Sequence, residues 1–336
     1  MRRRLAALSA AVLTAAFLCP LPAAGKADPT RAEQWRAIAQ RAADRMDVLA
    51  TGVQRSSTLA YAAQAHAWLS PDGWQDPAAQ AYLTRLYATQ NPDGGYGIGV
   101  AYDAGGDGSV NPATTTYTVT LAGHVGPALL DGMRAGVVPR AKVQQIYDLL
   151  VSTPRIDTSA GRCLSYSRAA ADAVPGRCVH NVNAGAAAWL LEAGKDGFAI
   201  PWWLIQGIAK RELSAYNAST RFWPYQDSTA PTPQDADHNS YNAESMYDLA
   251  YPVAYSAAYV ALTTEPDGAA GTPIVYMRLA GLPPAPTAMS GNTTVWCVLG
   301  DRWLDEADAF TTANFSDVGR LSQVAYYGSR AARACV

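Results

Sequence analysis

The chain has 336 residues, with 26 Lys and Arg against 28 Asp and Glu, a formal charge of −2, and only 16% charged residues beside 49% hydrophobic ones. So few charges and so much apolar material exclude a disordered chain and a coiled coil. A balance this close to neutral leaves no electrostatic footprint for nucleic acid.

The first segment reads as a targeting sequence. Arg2, Arg3 and Arg4 precede an apolar run from Leu5 to Leu18, and small residues follow, with Ala24 or Ala27 as cleavage points. This pattern predicts a secretory signal over 1–27, a single domain over 28–336, and a secreted, monomeric product. No later stretch is long and apolar enough to span a bilayer, so no membrane association is expected after cleavage. Loss of Arg2, Arg3, Arg4 and Lys26 takes the net charge from −2 to −6. Four cysteines then remain. An even count in an exported chain predicts two disulfides, with Cys163–Cys178 and Cys297–Cys335 the favoured pairing. Zinc is the alternative, but no Cys-x-x-Cys spacing is present.

From residue 31 onward the pattern is helical. Trp35, Ile38, Ala42, Met46 and Leu49 recur at helix spacing over 31–50. A second helix is predicted over 57–69, stopping at the turn Ser70-Pro71-Asp72-Gly73, and a third over 77–90, opening on Pro77. Further helices are predicted over 113–124, 127–135, 140–151, 182–194, 201–217, 240–263, 273–280, 293–306 and 318–333. Short extended pieces are expected around Cys163 and Trp223-Pro224-Tyr225, and a surface loop over 281–292. Helices without intervening strands exclude a doubly wound sheet and predict an all-α domain of stacked helical hairpins.

Pro-Asp-Gly recurs at 71–73, 92–94 and 266–268. Leu83 to Gly97, LTRLYATQNPDGGYG, resembles the repeat of the terpenoid cyclase and protein prenyltransferase superfamily, in which a helix ends in Gln before a Gly-rich turn and an aromatic. The resemblance implies an α/α toroid, a barrel of paired inner and outer helices, but not cyclase chemistry by itself. The chain as a whole also resembles uncharacterised secreted bacterial proteins, which imply export and no activity.

Three segments carry the candidate site. Between Trp223 and Tyr255 polar groups crowd ahead of an apolar helix: Asp235, Asp237, His238, Asn239, Tyr241 and Glu244, with Trp223 and Tyr225 just upstream. Asp237 or Asn239 can cap that helix. Tyr241, Glu244, Asp248 and Tyr255 fall near one face. The second segment, Cys178 to Asn183, brings His180, Asn181 and Asn183 to a helix entrance; the bland account is a satisfied buried histidine and an Asn cap. The third runs from Tyr96 to Tyr117. There Asp103, Asp107 and Asn111 partly follow a calcium-loop spacing, but Gly105 and Thr114 stand where ligands belong. The spacing supports calcium weakly and a substrate-binding loop equally; no other cofactor or metal is expected. The three segments are expected to converge on one concave site.

The 18 Tyr and 9 Trp far exceed the 5 Phe. Aromatics with a flat apolar face and a polar tip suit sugar rings. The resulting expectation is a secreted carbohydrate-active enzyme, a glycosidase or polysaccharide lyase. Glu244, Asp235, Asp237 and His238 are its candidate catalytic groups, because glycoside hydrolysis needs one protonated and one ionised carboxyl. Asp103, Asp107, Tyr117, His180, Asn183, Trp223, Tyr225, Asn239 and Tyr241 are its candidate binding groups, and an extracellular glycan or other small or polymeric ligand is the expected partner. One alternative is a non-catalytic extracellular binding module. Another is a terpene-cyclase-like enzyme. It is suggested by Asp235-Ala236-Asp237-His238, which is similar to the cyclase Asp-x-Asp-Asp proton-donor motif but has His in place of the last Asp.

Overall fold

The computed structural model describes residues 29–52, 55–104, 108–227, 234–263, 275, 278–279, 304, 307–312 and 316–334. The signal segment, Asp107, the 281–292 loop and both cysteines of the Cys297–Cys335 pairing lie outside them, as do most of the helices expected over 273–280 and 293–306.

Helix α1, Pro29–Leu49, buries the predicted stripe of Trp35, Ile38, Ala42 and Met46. Helix α2, Ser56–Leu69, is buried almost all round from Ser56 to Ala67, which marks an interior helix rather than an amphipathic one. Helix α3, Pro77–Ala88, starts as expected at Pro77, with the Asp76 carboxylate accepting from the N–H groups of Ala78 and Ala79. Helix α4 is a continuous run of Thr118–Thr120, a π-helical turn Leu121–Val125, and Gly126–Arg134. It starts later than 113 because Tyr117 is drawn into a bridge with Ser167. A side chain at Gly126 would stand 2.3 Å from the Leu121 carbonyl and 2.8 Å from the Trp189 ring, so glycine permits the close approach there.

Helix α5, Arg140–Val151, leads into an antiparallel hairpin of β1, Arg155–Thr158, and β2, Gly161–Leu164, in register Ile156 opposite Cys163. Cys163 is bonded to Cys178, at a Cα separation of 5.9 Å, as expected. Helices α6, His180–Gly194, and α7, Trp202–Ala215, follow. The helix expected over 240–263 is two: α8, Ala236–Asp248, and α9, Val253–Thr263. Pro252 cannot continue a helix, and Ala250 takes φ +63° in the corner before it. The cap of α8 is neither Asp237 nor Asn239 but Asp235, whose carboxylate accepts the His238 N–H. Helix α10, Val318–Ala334, returns to pack on α1 and α2. Among the described residues the protein is therefore mostly helical, with one small hairpin, and no helix is long and apolar enough to cross a membrane.

One regularity positions the site. Helices α2, α4, α6, α8 and α10 each contribute side chains to a single cavity, while α1, α3, α5, α7 and α9 contribute none. From α1 to α9 a helix behind the cavity alternates along the chain with a helix on it. Neighbouring cavity helices touch: α10 with α2, α2 with α4, α4 with α6, and α6 with α8.

Candidate functional site

The cavity encloses about 710 Å³, the range of small-molecule sites. Its most charged portion comes from α8 and α10. One face of α8 turns Asp237, Tyr241, Glu244 and Asp248 to the cavity at spacings of three and four, and α10 adds Arg320, Tyr326, Tyr327 and Arg330. Arg330 pairs with Glu244 through a direct Nη1–Oε1 contact. Arg278, fully buried behind them, donates to Asp237 Oδ1 at 2.9 Å, approaches Glu244 at 3.8 Å, and lies 3.2 Å over the Tyr241 ring. Arg320 stands 3.9 Å from Asp237. The Tyr61 hydroxyl joins this wall, 3.3 Å from Tyr327 and 3.5 Å from Tyr241.

Asp248 sits one turn beyond Glu244 on the same face and has no arginine paired to it. The surrounding protein, and then the Glu244 charge, push its carboxyl up to about 7. Its side chain is nevertheless open to the cavity, so water there moderates the desolvation. A carboxyl raised above its ordinary range thus stands beside one held in an ion pair, and divergent environments of this kind separate an acid from a base.

His238 offers a second proton-handling group. Its Nδ1 lies 2.8 Å from both oxygens of Asp235, and its ring meets Tyr225 edge-on at 5.1 Å. Burial opposes ionisation of Asp235, but the His238 contacts outweigh it and hold the carboxyl below the usual range. With Nδ1 oriented by Asp235, Nε2 remains for a ligand. Farther round the cavity, Asp131 accepts from the indoles of Trp68 at 2.7 Å and Trp74 at 2.9 Å. His124 stands on the π turn of α4, edge-on to Tyr61 at 5.2 Å. Burial, reinforced by the Arg278 charge, pushes its imidazole down to about 4, so it is neutral at physiological pH.

The structure brings Asp237, His238, Tyr241, Glu244 and Tyr225 together on the cavity, with Asp235 behind His238. Of the other two sequence segments, the second reaches the cavity only through Asn181 and Val182, and no described residue of the third lines it. His180 is wholly buried, its Nδ1 3.1 Å from Glu212 and its Nε2 3.1 Å from Asp227, which Arg211 also grips. Burial opposes its charge, yet the two carboxylates carry it up to about 9. Asn183 is consumed by backbone bonds: Leu164 N–H donates to its Oδ1 at 2.6 Å, and its amide donates to the carbonyls of Leu164 and Val179. Trp223 is buried and donates to the Glu212 carbonyl, and Asn239 is buried and donates to the Ala257 carbonyl. Tyr117 is buried against Tyr166. None of these five lines the cavity. Asp103 accepts the Gly108 N–H at 2.7 Å within its own loop, and Asn111 turns its amide N–H to Asp172. Of the weak calcium set, Asn111 is thus committed elsewhere and Asp107 lies outside the described residues. Among those residues no group of three or more His, Cys, Asp or Glu could hold a metal.

The cavity also holds groups absent from the sequence-based site: His124, Asp131, Trp68, Asp248 and Arg330. Only Asp248 carried a signal, its spacing from Tyr241 and Glu244. Comparison with family models, with curated proteins and with solved structures returns no match.

Proposed function

We propose that the alternating helices form an α/α toroid whose inner ring encloses the cavity, and that the protein is a secreted carbohydrate-active enzyme of hydrolase or lyase type working there. The alternation of cavity and outer helices from α1 to α9 supports the architecture, and the repeat-like Leu83–Gly97 segment agrees with it. The single observation that carries the enzymatic reading is the pair on α8: Asp248, pushed up to about 7, beside the ion-paired Glu244. In hydrolysis Asp248 donates its proton to the glycosidic oxygen as the bond to the leaving sugar breaks, Glu244 stabilises or attacks the anomeric carbon, and a water then adds its hydroxyl to that carbon, releasing Glu244 and returning a proton to Asp248. In a lyase the oriented His238 takes the proton next to the uronate and Asp248 protonates the departing oxygen. Tyr61, Trp68, Tyr241 and Tyr326 supply aromatic surface suited to sugar rings. The cyclase alternative wants a deep apolar cavity with Asp235 or Asp237 free to donate. Here the lining is charged, Asp235 is engaged by His238, and Asp237 by Arg278.

The test is turnover of a polysaccharide panel by the mature protein, following reducing ends for hydrolysis and unsaturated ends for elimination. Asp248→Asn and Glu244→Gln should each lower kcat by about 10²–10⁴-fold. Binding of a glycan without turnover would instead establish the non-catalytic module.

A further inference from the structure

The arginines that line the charged wall face carboxylates, while Arg278 behind them, which does not line the cavity, keeps Nε and Nη2 without a hydrogen-bond partner. Arg330 faces Glu244, Arg320 faces Asp237, and Arg134 faces Glu192 and Asp196. A ligand carboxylate would have to compete with these partners; only the exposed Arg55 lines the cavity without a carboxylate paired to it among the described residues. The neighbouring portion, built by α2, α4 and α6, is different in kind. Gln64 on α2, His124 on α4 and Asn181 on α6 all line the cavity, and all are neutral there. Each has a buried polar atom with no hydrogen-bond partner among the described residues: Gln64 Oε1, His124 Nδ1 and Asn181 Oδ1. Buried polar atoms are paired in the great majority of cases, so these three on the adjoining helices α2, α4 and α6, with Trp189 Nε1 on α6 unpartnered as well, call for a reason.

Gln64, His124 and Asn181 have two polar ends, and nothing holds the buried end. A half-turn of either amide or of the imidazole presents a donor or an acceptor to the cavity. Groups that donate in one setting and accept in another are matched by hydroxyls, which do both. The backbone adds an independent sign, because His124 is carried on a π-helical turn, a distortion that recurs at functional sites. Beside it the Tyr61 ring and the Trp68 indole offer apolar faces.

We propose that Gln64, His124 and Asn181 form a subsite for an uncharged, hydroxyl-rich sugar ring, so that the ligand is a neutral glycan rather than a polyuronate. The assignment rests on the carbohydrate reading above and sharpens it towards hydrolysis, since elimination needs a uronate.

Calorimetric titration of the full mature chain tests it, with cellotetraose, maltotetraose and chitotetraose as neutral probes and tetragalacturonate and tetramannuronate as anionic ones. The Asp248→Asn variant serves as the binding form wherever the wild type turns a probe over. At least one neutral probe should bind at least tenfold more tightly than either anionic one. Gln64→Leu, Asn181→Leu and His124→Phe should each weaken that binding by about tenfold, the loss of one buried hydrogen bond. His124→Gln should restore most of it, and melting curves should show the variants folded. Tighter binding of the uronates, neutral affinities all weaker than about 1 mM, or affinities unchanged in the folded variants would each overturn the subsite. Turnover is read separately. Neutral binding without turnover leaves the subsite standing and removes the enzyme, whereas turnover of uronates alone does the reverse.

Discussion

Asp248 and Glu244 are one helical turn apart, yet α10 delivers Arg330 to Glu244 and nothing equivalent to Asp248. That asymmetry has a thermodynamic consequence with a fixed sign. A carboxyl raised from near 4 to about 7 binds more protons in the folded than in the unfolded state between those values, so its contribution to stability falls as pH rises through that window and levels off above it. Asp248→Asn should therefore gain stability relative to the wild type between pH 5 and 8, read as a widening difference in melting temperature. The opposite trend would place the Asp248 proton elsewhere. His180 has a linkage of the same sign in a higher pH window. Its imidazolium, raised to about 9, contributes stability that is fully present below about 6.5 and is lost as pH rises through 9. His180→Gln should cost about 3–5 kcal/mol at pH 6, because it leaves Glu212 buried without its charge partner. Urea titrations should show that cost shrinking towards pH 10.

At the scale of elements, α6 shows how one side chain can tie together pieces distant in the fold. Asn183 holds Leu164 of β2 through both its N–H and its carbonyl, and also the Val179 carbonyl of its own first turn. Asn183→Ala leaves these buried backbone groups unpaired and should destabilise by about 2–4 kcal/mol; hydrogen exchange at Leu164 should accelerate before that of the α2 core. The same element explains what was legible in the sequence. Helices α1, α2, α3 and α5 were readable because their apolar periodicity and stop signals are local: a Trp35–Ile38–Ala42–Met46 stripe, a Pro77 start, a Ser70-Pro71-Asp72-Gly73 stop. The break between α8 and α9 had a local sign in Pro252, overridden by the apolar run around it. His180 and Asn183 look like ligand-binding residues because polar side chains at a helix entrance are what a site needs. Their actual partners, Glu212, Asp227 and Leu164, come from segments that only the tertiary fold brings near. For the same reason Asp237, Tyr241 and Glu244 could be read from one helix face, whereas His124 and Arg330 could not be assigned to the same cavity.

At the scale of the molecule, cavity and core depend on how the first and last described helices meet. The Cys163–Cys178 bond closes a span of 15 residues beside the buried His180 network, and its removal by Cys163→Ser with Cys178→Ser should cost about 3 kcal/mol. The last described helix has a larger role. Helix α10 lies against both α1 and α2, covering apolar surface that includes the first helices of the chain, while its other face sends Tyr326, Tyr327 and Arg330 into the cavity. Leu321, Val324, Ala325 and Ala331 of α10 share one core cluster with Trp35, Ile38, Leu59 and Ala63. A chain shortened to end before Val318 would expose that surface on α1 and α2 and leave Glu244 facing a cavity without its Arg330 partner. Burial of four such aliphatic groups contributes several kcal/mol, on the order of the whole stability of a domain. Truncation should therefore abolish cooperative unfolding rather than trim one edge. The expected signature is retained far-UV helical dichroism, lost near-UV signal from the tryptophans that remain, Trp35, Trp68 and Trp74 among them, and strong binding of a hydrophobic dye. A truncated chain that still melts in one sharp transition and keeps the near-UV dichroism of its remaining tryptophans would show that α10 is an appendage, and the remaining cavity helices would then have to hold their arrangement without it.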